Sequence, residues 1–503
     1  MWSLIIITLS LATIEQFGSE ALVVGTNCTL APKGNPKFPK DFSFGVSTSA
    51  YQIEGAWNAD GKGLSIWDEY THNHSERITD GSNGDDAAKS YYNFDLDLKA
   101  LKDLKVNHYR FSIAWTRIFP SGETVSRNQK GIDYYNKVID KLLANGIEPM
   151  VTMYHWDLPV EIQKFGGFAN SLIIQQFLQY AEELFKLFGD RVKTWITFNE
   201  PNMICKPGYG IASSPPLVKA PGVGDYMCFT NLLKAHGATY RLYRSKYFEK
   251  QRGKVGITLD TGFVFSKLNK TDDLARAMQY KLGMLAHPIY SKSGDFPSIM
   301  LSEIKKNSQV EGRKQPRLSS LGGYWTDIIR GSADFLGINY YTSRYIERPA
   351  KAIGENPSME RDYGFEDIFD PNWQRAKSNW LYCVPEGLER LLKYIRDEFN
   401  NVEVKITENG WSDGGELNDD NSVRYYKSHV QAVLNAINDG CNVSSYSAWS
   451  LIDNFEWNKG YTEKFGLYSV NMKSPKRERT PKKSAIYYKK IIKSRSVPNE
   501  DEV

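Results

Sequence analysis

Cysteine is scarce in this chain, and its spacing suits no metal site. The 503 residues hold five, at Cys28, Cys205, Cys228, Cys383 and Cys441, with no Cys-x-x-Cys pair and no His-Glu-x-x-His. The familiar structural and catalytic zinc patterns are therefore excluded, and no metal or organic cofactor is implied. An odd count leaves at least one thiol unpaired. Cys205 and Cys228 are close enough in sequence to bridge, and buried free thiols are the alternative. Charge of one sign is lacking too: 63 Lys and Arg face 59 Asp and Glu, a net +4. So even a balance predicts neither a nucleic-acid partner nor an anionic membrane surface. Long hydrophobic runs are missing, and the mean hydropathy is −0.48. With 41% apolar residues, neither a multi-span membrane protein nor a disordered chain is expected. Low-complexity linkers and short repeats are also absent.

The one apolar run that stands out is Leu4 to Thr13, about half of what a bilayer span needs. It has the length of a secretory h-region, although no Lys or Arg precedes it. This divides the chain into a signal peptide, 1–21, and one mature domain, 22–503. Four Asn-x-Ser/Thr sequons, at Asn27, Asn73, Asn269 and Asn442, fit a secreted, N-glycosylated protein.

Aromatics, by contrast, are abundant: 12 Trp, 30 Tyr and 24 Phe. They supply core, or stacking platforms for a flat ligand. Strand-like runs alternate with amphipathic helical runs along the whole chain. The strands are expected at 42–45, 106–113, 148–154, 194–199, 254–259, 335–340, 404–407 and 443–447. Between them, Ile132, Tyr135, Val138, Ile139, Leu142 and Leu143 recur at helical spacing, as do Ile174, Phe177, Leu178, Ala181, Leu184 and Phe188. Leu388, Leu391, Leu392, Ile395 and Phe399 form a third stripe. Eight strands alternating with helices predict an α/β fold, a single (β/α)8 TIM barrel. Length alone would suggest about three domains. A barrel with long loops replaces that expectation, and 345–383 is its clearest insertion.

In such a barrel, chemistry belongs at the C-terminal strand ends. The fourth strand runs into Thr197-Phe-Asn-Glu200-Pro201, and the seventh into Ile406-Thr-Glu408-Asn-Gly410. Two carboxylates facing each other across a barrel mouth are what glycosidic cleavage requires: an acid to protonate the leaving oxygen and a carboxylate to attack carbon.

At this point the chain resembles the family 1 glycoside hydrolases, the β-glucosidase family. The likeness runs from about Pro39 to Lys493. It includes Phe42-Ser-Phe-Gly-Val-Ser-Thr-Ser-Ala-Tyr-Gln52-Ile-Glu-Gly55, Tyr109-Arg110-Phe-Ser112, His155-Trp-Asp-Leu-Pro159, Asn339-Tyr-Tyr341 and Trp449-Ser-Leu-Ile-Asp-Asn-Phe-Glu456-Trp457. The resemblance implies a retaining mechanism, with Glu408 as nucleophile and Glu200 as acid/base. Arg110 would favour the charged form of Glu408, Tyr341 would orient it, and Asn199 would hold the sugar 2-OH. Gln52, His155 and Glu456 would bind ring hydroxyls, Trp449 would form the floor, Trp457 would offer its indole N–H, and Phe465 would pack near the 6-position. A carboxylate at Glu456 would repel a 6-phosphate.

On the leaving-group side, Lys206 and Arg344 lie shortly after the fourth and sixth strands. They are either solvated rim charges or a grip for an anionic aglycone such as a sulfate, an arrangement similar to that of insect-type myrosinases. The expected activity is thus a secreted β-glucosidase acting on small-molecule β-glucosides. The alternatives are a thioglucosidase cleaving glucosinolates and, more remotely, a sugar-binding relative without catalysis.

Overall fold

The computed structural model describes residues 28–267, 270–351 and 353–499. The expected leader and the sequons Asn27 and Asn269 lie outside the described residues; Asn73 and Asn442 are exposed. Eight parallel strands close into a barrel: β1 (Ser43–Ser47), β2 (His108–Ser112), β3 (Glu148–Tyr154), β4 (Thr194–Asn199), β5 (Lys254–Asp260), β6 (Leu336–Asn339), β7 (Val404–Glu408) and β8 (Val443–Trp449). Each pairs with its neighbours in sequence, and β1 closes the ring on β8, with Ser43 opposite Ser445 and Ser47 opposite Trp449. All eight expected strands are present, shifted by at most a few residues at their ends.

These strands read as nearly unbroken apolar runs because helices cover their outer faces and side chains fill the barrel. In β3 every residue after Glu148 is buried. The inward faces also carry a polar layer. His108 bridges Ser43 Oγ (2.8 Å) and Ser447 Oγ (2.7 Å), tying β1, β2 and β8 together. Gly45 on β1 makes room for that imidazole, since a Cβ there would lie 2.2 Å from its Nε2.

The three helical stripes lie on helices Gln129–Leu143, Leu172–Phe188 and Pro385–Glu398. The first turns Ile132, Tyr135, Val138, Ile139 and Leu142 inward. Leu143, one residue and about 100° further round, faces solvent instead. The 345–383 insertion is partly regular. Arg344–Glu347 pairs with Val264–Ser266 and with Glu366–Ile368, a three-stranded sheet beside the barrel mouth.

Two disulfides form, Cys205–Cys228 and Cys28–Cys383, and Cys441 is free and buried. The first joins the short helix Pro201–Cys205, just after Glu200, to the long helix Gly224–Leu242. Closing a loop of that size stabilises the fold by about 3 kcal/mol in the chain-entropy view. The second spans a sequence separation of 355, which no local spacing could have announced.

Candidate active site

Two loop geometries place the two glutamates. Glu200 follows β4 in a left-handed conformation (φ 51°), turning the chain from strand into the helix that begins at Pro201. Its N–H is held by Thr258 O on β5 at 2.9 Å. A non-glycine residue is retained there only where its surroundings determine it. Glu408 ends β7, and Asn409 pins that strand end to both neighbours. The Asn409 amide donates to Tyr340 O (2.7 Å), its Oδ1 accepts from Tyr446 (2.6 Å), and its carbonyl accepts from Trp449 N–H (2.8 Å). Gly410 follows because a Cβ there would sit 1.9 Å from Trp449 O. The Glu-Asn-Gly triplet is thus dictated by close packing of β6, β7 and β8.

One hydrogen-bonded chain links the carboxylates. Arg110, fully buried on β2, donates to Glu408 Oε1 (2.5 Å) and to Asn199 Oδ1 (2.6 Å). Asn339 donates to the same Asn199 oxygen (3.0 Å) and to Glu200 Oε1 (2.6 Å). Thr407 fixes Asn339 by donating to its Oδ1 at 2.7 Å, and Thr152 accepts from Arg110 Nε at 3.1 Å. Tyr341 donates to the second oxygen of Glu408 at 2.7 Å. Its hydroxyl remains a donor because burial, then the Glu408 charge, hold its pKa well above that of ordinary tyrosine. Burial, then neighbouring negative charge, likewise raises the Glu200 carboxyl well above the usual carboxylate range.

The network also sets the tautomer of His155. Arg110 can only donate, so the Asn199 oxygen faces it and the Asn199 nitrogen faces His155 Nε2, 3.1 Å away. Nε2 must accept, which leaves the proton on Nδ1. Burial, aided by Arg110, keeps this ring neutral. His155 lines the cavity, and its Nδ1 is buried without a hydrogen-bond partner among the described residues.

The cavity these groups line measures about 1010 Å³. Trp449 is nearly fully buried, with the His155 ring 6.0 Å away and close to parallel. Trp457 packs against Trp156 and Trp67 at 4.4 and 4.6 Å. Phe465 meets the Tyr341 ring edge-on at 6.1 Å. Glu456 is pushed well above the carboxylate range by burial, then by Glu463 and Glu408. Asn199, Lys206 and Arg344 share the wall. Gln52 and Arg110 stand behind it, both fully buried. The Gln52 amide donates to Asn454 Oδ1 (2.9 Å), Phe455 O (2.8 Å) and Glu456 Oε2 (3.4 Å), so it braces the Glu456 loop. Toward the mouth, Lys206 is ion-paired with Glu360 at 2.8 Å. Arg344 donates to Ser343 O (2.9 Å) and Trp380 O (2.8 Å).

Comparison with known proteins settles the family. The profile described as glycosyl hydrolase family 1 matches residues 35–497. The chain belongs to glycosyl hydrolase family 1. It is 42% identical to Myrosinase 1 of Brevicoryne brassicae over 91% of this chain and 98% of that protein. It is 41% identical to the cytosolic beta-glucosidase of Homo sapiens, over 91% and 98%. The solved structure of an aphid myrosinase superposes with a TM-score of 0.87 at 42% identity, covering 91% of this chain and 99% of the other. This family 1 chain is therefore a glycoside hydrolase.

Several members of its site went unassigned in the sequence. Asn339 stood inside a quoted motif, yet its bond to Glu200 was not foreseen. Asp260 ends β5, and that position was the available signal. Glu360 comes from the insertion, and no spacing relates it to Lys206. Tyr341→Phe removes one neutral donor to Glu408 and little volume. We expect kcat to fall roughly 10- to 100-fold, matching the ~1.5–3 kcal/mol of a hydrogen bond to a charged group. Steady-state kinetics on an aryl β-glucoside check this, and unchanged kcat would remove Tyr341 from the mechanism.

Proposed function

We propose that this family 1 enzyme is a secreted, retaining β-glucosidase that works through a covalent glycosyl-enzyme intermediate. One observation carries the reading. Two buried carboxyl groups stand at the ends of β4 and β7 and are joined through Arg110, Asn199 and Asn339. Buried Glu200 keeps its proton for the leaving oxygen. Glu408, held by Arg110 and Tyr341, presents a carboxylate to the anomeric carbon. Attack by Glu408 breaks the glycosidic bond as Glu200 gives up its proton. Water, deprotonated by the same Glu200, then cleaves the ester. The β-glucosidase among its relatives supports glucose as the sugar. The Leu4 to Thr13 run, the sequons and two disulfides support an oxidising, extracellular destination.

The thioglucosidase reading is the second, favoured by likeness to Myrosinase 1 and by Lys206 and Arg344 sharing the cavity wall. Against it, Lys206 is already neutralised by Glu360, and Arg344 is occupied by carbonyls. Rates on a sulfated thioglucoside and an uncharged aryl β-glucoside decide between them. With a β-glucosidase, Lys206→Ala and Arg344→Ala should change both rates by less than about threefold. A selective loss of roughly tenfold or more on the sulfated substrate would establish the anion grip instead. Proton NMR of the first-formed sugar tests retention, since an α-glucose product would exclude it.

A further inference from the structure

Asp260 ends β5, on the strand beside the one that carries Glu200, and none of the roles above uses it. Backbone and side-chain contacts hold the two at one level. Glu200 N–H donates to Thr258 O, two residues before Asp260, and the Asn202 amide reaches Asp260 O at 3.4 Å. On its other side Asp260 lies in register with Asn339, the residue whose amide holds Glu200 Oε1. Asp260 lines the same cavity, and its Oδ1 is buried without a hydrogen-bond partner among the described residues. Lys281, a cation within its field, is already ion-paired with Asp367.

We propose that Asp260 is a positioning residue for the proton of Glu200, an anionic neighbour that keeps the proton in place until the leaving group takes it. This rests on Glu200 being the acid/base. Glu200 is faced by Asp260 from β5, Arg110 from β2, Glu408 from β7, and Asn339 at the end of β6. Tyr341, just past β6, lies within its field as well. Arg110 and the Asn339 amide favour the Glu200 anion, whereas Asp260 and Glu408 oppose it. Glu408 loses its charge once it carries the sugar, but Asp260 does not. The Asp260 field therefore acts on both half-reactions and the Glu408 field on the first alone. Burial pushes the Asp260 carboxyl up to about 7, so its charge, and with it the hold on the Glu200 proton, grows in as the pH rises through that value.

Removing that charge should move two pH limbs in the same direction. The alkaline limb of kcat/KM, set by loss of the Glu200 proton, should fall by roughly one pH unit in Asp260→Asn. The acid limb for reactivation of a preformed 2-deoxy-2-fluoroglucosyl enzyme, set by ionisation of the same group, should also move down. Asp260→Glu retains the charge and should keep both limbs near those of the wild type. Asp260→Ser serves as a second neutral variant should Asp260→Asn fold poorly. A merely structural role would lower the rates without moving either midpoint. Neutral variants whose limbs coincide with the wild type overturn the proposal. Glu200→Gln separates the two layers. If it keeps the wild-type alkaline limb, the acid/base assignment fails. If it loses the limb while Asp260→Asn keeps it, the role of Asp260 alone fails.

Discussion

Glu408→Gly should lower hydrolysis of an aryl β-glucoside by at least about 10⁴-fold, the scale on which enzymes lose a nucleophile. The carboxylate it removes receives Arg110 on one oxygen and Tyr341 on the other. No other carboxylate in the site has both. Azide should partly restore turnover, because the space vacated by the side chain admits a small anion beside Arg110. The product should then be the α-glucosyl azide, since a single displacement inverts the anomeric carbon. Equal release of aglycone by wild type and variant would show the nucleophile to be misassigned. Stability must be followed alongside. Arg110 is fully buried, and stripping one partner from a buried ion pair costs about 3–5 kcal/mol. Part of that should be offset here, because Arg110 keeps Asn199, Thr152 and Thr407 O as acceptors. Glu408→Gln, which retains an acceptor for Arg110, should be as inactive and closer to the wild type in Tm. A variant that is folded but inactive separates chemistry from collapse.

The barrel could be read from sequence because its strands are short, apolar and separated by strongly periodic helices. β3 and β4 agree to the residue, Glu148–Tyr154 and Thr194–Asn199. The expected strands missed Glu408 at the end of β7 and Trp449 at the end of β8, where polar or bulky residues continue the ladder past the apolar run. The candidate site was legible where its residues are contiguous, as at Asn199-Glu200-Pro201. It was hidden where contacts bring together residues from distant segments. The Glu360 partner of Lys206 and the Cys383 partner of Cys28 belong to long loops with no period to follow. Asp260 went unassigned for a different reason: despite its place at a strand end, an isolated aspartate looks like a solvated charge until its unpartnered oxygen and the adjacent Glu200 are seen together.

Glu200→Gln should have an effect that depends on the leaving group, and that dependence is what identifies an acid. With a poor leaving group such as an alkyl alcohol, kcat/KM should drop about 10²- to 10⁴-fold, the usual contribution of a positioned proton donor. With dinitrophenolate, which departs without a proton, kcat/KM should change little. Turnover should nevertheless slow, because water at the ester has lost its base, and a burst of phenolate should precede a slow steady state. Azide, which needs no base, should speed that second step and yield the β-glucosyl azide, the product of two inversions. Equal losses on both leaving groups would exclude Glu200 as the acid. The substitution should also leave a mark on stability. The carboxyl of Glu200 is raised in the fold, so the folded state holds its proton more tightly than the unfolded chain. The wild type is then penalised progressively as pH climbs from the ordinary carboxylate value toward the raised one. Glutamine escapes that penalty, so the Tm of Glu200→Gln relative to wild type should rise over this interval. A parallel pair of Tm-against-pH curves would mean that the strain of holding a buried acid proton is absent at this position.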